Sequence, residues 1–189
     1  MRVVGGRLRS RGLAAPKADA IRPTSDRLRE SLFNILIHSF DDPVTHARVL
    51  DLFAGTGALG LEAISRGANY ALFIDDGAEA RALLRENVEA LGLGGVTRIF
   101  RRDATKLGPA HPVEPFSLCF LDPPYGKGLA EKALASARDG GWLTPAALVV
   151  VEESASANFI APEGYTEIAR RDYDDSELIF LRAKTDTPV

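Results

Sequence analysis

Two stretches of this 189-residue sequence combine residue types that could do chemistry. The first, Val49-Leu50-Asp51-Leu52-Phe53-Ala54-Gly55-Thr56-Gly57-Ala58-Leu59-Gly60, sets three glycines at G-x-G-x-x-G spacing just past an apolar run. Glycine allows a sharp turn and lets a ligand approach the main chain where a Cβ would stand in the way. Asp75 follows 20 residues after Gly55, at the end of the next apolar run. A carboxylate so placed can accept hydrogen bonds from both hydroxyls of a ribose. Loop and acid together fit a nicotinamide dinucleotide or another adenosine cofactor. A tight strand–helix turn with no ligand is the plain alternative.

Two further acids favour S-adenosylmethionine over a dinucleotide. Asp51, four residues before Gly55, can reach the ammonium of a methionine moiety directly or through water. The same negative charge disfavours a pyrophosphate at that helix N-terminus. Asp103-Ala104 ends a third strand-like run. There a carboxylate can accept the adenine amino proton while the next backbone N–H addresses a ring nitrogen. Taken singly, Asp103 reads as a solvated turn residue.

The second stretch is Asp122-Pro123-Pro124-Tyr125, directly after the apolar run 116–121. An exocyclic base amine is a poor nucleophile because its lone pair is delocalised into the ring. A site that methylates it must hold both N–H groups with acceptors, so that the lone pair turns toward the methyl donor. The Asp122 side chain and the Pro123 carbonyl supply two acceptors, and Tyr125 can stack on an extruded base. The prolines fix φ and limit the freedom lost on binding. A capped Pro-Pro turn is the competing structural reading.

The elements that must position these residues alternate. Strands are expected at 48–53, 70–75, 97–101, 116–121 and 147–152, and helices at 58–66, 78–91 and 128–137. Such alternation implies a parallel sheet covered by helices on both faces, with both stretches at strand carboxyl ends, where open sheets bind ligands. Two last strands, 165–170 and 177–182, flank the polar residues 172–175 and imply a terminal antiparallel hairpin. Ahead of the alternation, residues 2–4 and 12–14 read as a short extended pair. A helix follows Pro23, capped by Thr24 or Ser25, with Thr24 favoured as a cap over a cofactor contact. Asp41-Asp42-Pro43 ends it, dividing a basic extension, residues 1–43, from a main domain, residues 44–189.

Composition narrows the function classes. Hydrophobic residues make up 46% and charged residues 26%, as in a soluble globular protein. No apolar run has membrane-spanning length and no signal peptide is evident, so a cytoplasmic protein is expected. One cysteine, Cys119, and three scattered histidines support neither a disulfide framework nor a metal site. Cys119 and Trp142 read as packing residues. Residues 1–30 hold eight basic and three acidic side chains, while the rest hold 15 basic and 23 acidic. That asymmetry suggests a basic arm for a polyanion, with Arg7, Arg9, Arg11 and Arg22 as RNA-contacting candidates; a solvated tail is the alternative.

The glycine loop, Asp75, Asp103 and Asp122-Pro123-Pro124-Tyr125 together resemble class I S-adenosylmethionine-dependent N-methyltransferases. Closer still is the resemblance of Arg22-Pro23-Thr24-Ser25-Asp26-Arg27-Leu28-Arg29-Glu30-Ser31-Leu32-Phe33-Asn34 and of the segment 51–63 to one family. It is the bacterial small-subunit ribosomal RNA guanine-N2 methyltransferases, RsmD. The likeness extends to the hairpin segment 173–180. It implies a Rossmann-like α/β fold with a seven-stranded, mostly parallel sheet. It also implies methyl transfer to a guanine N2 amine of 16S ribosomal RNA, free or in a small-subunit assembly intermediate, by a monomer. Carried over, Asp51, Gly55 and Gly57 would line the methionine end of the cofactor, Asp75 the ribose and Asp103-Ala104 the adenine, with Phe53 also among the cofactor-binding residues. Residues Asp122, Pro123, Pro124 and Tyr125 would hold the target base. Many relatives carry Glu where Asp75 stands, so the ribose contact is one methylene shorter and could use water or Asp76. An adenine-N6 or protein-amide methyltransferase, and a nicotinamide-dependent oxidoreductase or non-catalytic nucleotide-binding module, are the alternatives.

Overall fold

A computed structural model describes residues 1–17 and 24–185 of the chain. Five strands run parallel in the order β3 (Thr97–Phe100), β2 (Tyr70–Ile74), β1 (Arg48–Leu52), β4 (Phe116–Leu121), β5 (Leu143–Ser154). Beyond β5 lies β7 (Ser176–Ala183), antiparallel to it, and β6 (Tyr165–Tyr173) forms the edge. The strand order reverses between β1 and β4, which opens a crevice at their carboxyl ends.

The inner strands are apolar on both faces because helices cover both. Alternate residues Val49, Phe73, Phe120, Val150 and Phe180 pack with helices α1 (Asp26–Ser39), α2 (Ala58–Ser65) and α3 (Ala78–Ala90). The intervening Leu50, Leu52, Cys119, Val149 and Ile179 pack with α4 (Leu129–Gly140) and Trp142 on the other face. Cys119 and Trp142 are thus core residues, and the Trp142 indole N–H donates to the Gly108 carbonyl at 2.8 Å.

Two elements depart from the sequence reading. Strand β5 starts four residues earlier than expected, because Leu143 pairs with Phe116 before the register shifts. The shift accommodates Pro145 and a left-handed Ala146 (φ 60°), and a bulge is where a strand tolerates proline. At the start of α1 the cap is Ser25, whose hydroxyl accepts from the Leu28 N–H at 3.1 Å; Thr24 is turned to another task.

The N-terminal stretch shares the domain's core. Arg2 bridges Gly12, and Val3, Leu8 and Leu13 are buried in the cluster that contains α1, α2 and α3. The hairpin comes so close to α2 that a Cβ on Gly6 (φ 77°) would lie 2.0 Å from the Ser65 carbonyl oxygen. At the centre of the contact is Glu62, fully buried. Its carboxylate accepts from the N–H groups of Val4 and Gly5, both at 2.9 Å. It also pairs with Arg29 at 3.1 Å and Arg66 at 2.9 Å. Arg29, itself fully buried, further donates to the Arg2 carbonyl at 2.8 Å and pairs with Asp26. Burying a charge is tolerable only when partners replace its water, and removing one partner strands the other. Glu62→Ala should therefore lower unfolding free energy by about 3–5 kcal/mol and raise hydrogen exchange at Val4 and Gly5. A loss below about 1 kcal/mol in denaturant titration would show that the cluster is not holding the hairpin.

Candidate active site

The carboxyl ends of β2, β1, β4 and β5 border one cavity of about 510 Å³. Asp51, Asp75, Asp122 and Glu152, one acid from the end of each of these strands, all line it.

The turn from β1 to α2 forms the first wall. Phe53 adopts a left-handed conformation (φ 56°), costly for a side chain of that size, and Gly55 follows at φ 57°. The turn is held by the Ala54 N–H on the Ile74 carbonyl at 3.0 Å and the Gly57 N–H on the Ala54 carbonyl at 2.8 Å. Asp75 clamps it from the side. One of its oxygens accepts from the Gly55 N–H at 2.9 Å and the other from the Gly77 N–H at 2.8 Å. A carboxylate has about four acceptor positions, so capacity remains for a ligand. Asp76, exposed, borders the cavity beside it. Asp51 lies deeper, 1% exposed, and accepts from the Gly60 N–H at 3.0 Å. Burial pushes its carboxyl up to about 8; the Asp75 charge adds to the rise and the Gly60 N–H opposes it.

The loop after β4 forms the facing wall. Asp122, Pro123, Pro124 and Tyr125 all line the cavity. The Thr24 hydroxyl donates to Asp122 Oδ2 at 2.8 Å, the Tyr125 hydroxyl to Glu152 Oε1 at 2.6 Å, and the Gly126 N–H to Glu153 Oε1 at 3.1 Å. Burial, then the neighbouring Glu152 charge, hold the Asp122 carboxyl well above the usual carboxylate range. The loop is thus tied at one side to the start of α1 and at the other to the end of β5.

Not every expected residue reaches the cavity. Gly57 is buried behind it, where an added Cβ would lie 2.2 Å from Leu84 Cδ1, so its role is close packing of α2 on α3. Asp103 and Ala104 are not among the lining residues. Asp103 Oδ1 accepts from the Thr105 N–H at 2.9 Å and from its hydroxyl at 2.7 Å, contacts that hold the carboxyl below the usual range. Arg7, Arg9 and Arg11 are exposed on the N-terminal hairpin, away from the cavity, and Arg11 donates to the Ala90 carbonyl at 2.7 Å. Arg22 lies outside the described residues. Thr24 enters the site rather than capping its helix. Glu152 and Glu153 were missed, although they end an apolar strand as Asp51 and Asp75 do.

Comparison with known proteins places this arrangement. A family profile described as conserved hypothetical protein 95 matches residues 1–182. A protein of Escherichia coli strain K12 named ribosomal RNA small subunit methyltransferase D is 40% identical over 152 residues, 80% of this chain and 74% of that one. Its namesake from Haemophilus influenzae is 33% identical over 169 residues, 88% of this chain and 85% of that one. The chain belongs to the RsmD family. A solved structure, the putative methyltransferase yhhF from Escherichia coli, superposes with a TM-score of 0.81 at 32% identity, covering 97% of this chain and 98% of that one. An RNA methyltransferase from Salinibacter ruber, solved with S-adenosyl-L-homocysteine, shares the fold with a TM-score of 0.66 at 14% identity, covering 88% and 97%. The fold of the RsmD chain is that of class I methyltransferases, and its methyl donor is S-adenosylmethionine. The dinucleotide alternative falls away.

The residues present fit that group. The cavity is of small-ligand size, Asp75 retains acceptor capacity for ribose hydroxyls, and Asp51 and Asp122 give a cationic ligand an acidic wall. Asp51 also generates a stability prediction. An acid whose folded pKa is about 8, against an ordinary 3.8, binds more protons folded than unfolded between those values. Its contribution to stability is thus present at low pH and is lost as pH rises toward 8. Asp51→Asn keeps an acceptor for Gly60 but cannot ionise. Its melting temperature relative to the native protein should therefore climb steadily from pH 5 to pH 8. A pH-independent difference would show that Asp51 does not hold a proton in the folded chain.

Proposed function

We propose that this protein transfers a methyl group from S-adenosylmethionine to the exocyclic N2 amine of a guanine in 16S ribosomal RNA. The observation that carries the reading is the rigid loop 122–125, whose Asp122 carboxyl opens on the cavity that also holds Asp51 and Asp75. The relatives' names point to small-subunit ribosomal RNA, and a two-acceptor site matches an amine with two N–H bonds.

When bound, the cofactor supplies an electrophilic methyl group on a sulfonium. Asp122 and the Pro123 carbonyl accept the two N–H bonds of the amine and draw its lone pair out of conjugation with the ring. The hydroxyl of Thr24 fixes the rotation of the Asp122 carboxylate, so the acceptor is in place before the base arrives. As the N–C bond forms and the carbon–sulfur bond breaks, the nitrogen gains positive charge and its interaction with Asp122 strengthens in the transition state; the amine then releases one N–H proton through the Asp122 carboxylate to solvent. Tyr125, anchored through its hydroxyl to Glu152, offers a ring face for the extruded base. The exposed Arg7, Arg9 and Arg11 supply phosphate contacts beyond the cavity, with residues 1–43 serving as the RNA-facing extension of a monomer that acts in the cytoplasm. The substrate is the 16S RNA itself or a small-subunit assembly intermediate containing it. Mass spectrometry of 16S RNA from a deletion strain, with and without complementation, tests the reading: N2-methylguanine must disappear and return.

Two variants probe the parts separately. In Asp122→Asn the amide oxygen can keep the Thr24 contact and turn its N–H₂ toward the substrate amine. Single-turnover methylation should fall about 100-fold or more, as when one preorganised polar partner is lost. Affinity for S-adenosylmethionine should stay within about twofold, since Asp75 and the glycine loop are untouched. Near-native turnover would remove Asp122 from the mechanism. Replacing Arg7, Arg9 and Arg11 with Ala should weaken RNA binding and flatten its salt dependence by about 0.7–0.9 per lost phosphate contact. An unchanged slope would make the hairpin a solvated tail.

A further inference from the structure

Asp122 does not face the target base alone. Glu152 lines the same cavity and is only 6% exposed. Leu121 pairs with Val151 in register, so Asp122 and Glu152 stand next to each other across the carboxyl ends of β4 and β5, and each is steadied by a hydroxyl donor: Thr24 on Asp122 at 2.8 Å, Tyr125 on Glu152 at 2.6 Å. Neighbouring buried carboxyl groups disfavour each other's charge, and a donor placed between them relieves the repulsion. Burial, and then the Glu152 charge, accordingly hold the Asp122 carboxyl well above the usual carboxylate range. A substrate that brings N–H donors of its own can supply that donor and face both acids at once.

Guanine carries such donors side by side: the N1–H and the N2 amine project from the same edge of the base. Adenine carries an amine beside an unprotonated N1. We propose that Glu152 accepts the N1–H of the target guanine while Asp122 accepts its N2 amine, which makes Glu152 the residue that selects guanine. The proposal rests on the guanine-N2 reading above and adds the basis of base choice. A purine with an unprotonated N1 sets a lone pair against the Glu152 carboxylate, acceptor facing acceptor. Discrimination of that kind is large, because the site's buried polar group is then left unpaired.

The test separates base choice from amine chemistry by using 2-aminopurine, which keeps the N2 amine and lacks the N1–H. The methylated guanine is first mapped by mass spectrometry. 16S RNA is then assembled by ligation with guanine or 2-aminopurine at that one position. The native enzyme should prefer guanine by about 100-fold or more in kcat/KM. In Glu152→Gln, whose amide can donate to an unprotonated N1, turnover of guanine should fall at least about tenfold and the preference should shrink below about tenfold. Equal losses on both bases, with the preference kept, would assign Glu152 a merely structural part in holding Tyr125 and overturn the proposal. Should Glu152→Gln no longer bind S-adenosylmethionine, the native enzyme decides alone: similar rates on both bases overturn the proposal, and a large preference supports it. Absence of N2-methylguanine from the native product would instead overturn the underlying functional reading.

Discussion

Asp51, Asp75, Asp122 and Glu152 stand at the carboxyl ends of four neighbouring strands, and burying acids this close together is the constraint the surrounding chain must answer. The charges feel one another: Asp75 raises Asp51, while Glu152 and Asp51 raise Asp122. Each acid is met by a donor from a different part of the chain. Gly60 answers Asp51, Gly55 and Gly77 answer Asp75, Thr24 answers Asp122, and Tyr125 answers Glu152. The same bonds that make the acids bearable therefore tie down the glycine loop, the start of α1 and the loop after β4. An acidic wall also suits a cationic occupant and loosens its hold once that charge is gone. Sulfonium-dependent methyl transfer has this property, since the positive charge on sulfur disappears in the reaction.

Much of this was legible in the sequence, and the reason is local. Glycines beyond a strand, an acid at a strand tip and a Pro-Pro loop are short-range patterns, so the elements and Asp51, Asp75 and Asp122 could be placed from spacing alone. Contacts between distant segments carried no such mark. Thr24 and Ser25 are both good caps, and only the arrival of Asp122, 98 residues away, decides which caps and which serves the site. Glu152 looked like the polar end of an apolar strand until the fold set β5 beside β4. Gly57 matched the ligand-loop spacing, yet the contact that requires glycine there is with Leu84 of α3. Asp103 stands outside the cavity lining, and Thr105, two residues on, donates twice to its Oδ1.

The basic extension shows how a segment remote in sequence can matter to the loop after β4. Its hairpin is fastened by Glu62, and the same carboxylate is paired with Arg29. Arg29 in turn donates to the carbonyls of Arg2 and Thr24, at 2.8 and 3.5 Å. Thr24 then holds Asp122 through its hydroxyl. A continuous set of bonds thus runs from the hairpin through one buried arginine to Asp122 at the cavity wall. A flexible tail could supply the same positive charge, but it could not supply the buried contacts that lead through Arg29 to the Thr24 carbonyl. A charged core costs desolvation that an apolar one would avoid, so stability alone does not favour Arg29 and Glu62 at this point. What the pair adds is direction. Its hydrogen bonds set where the hairpin and the first turn of α1 lie relative to each other.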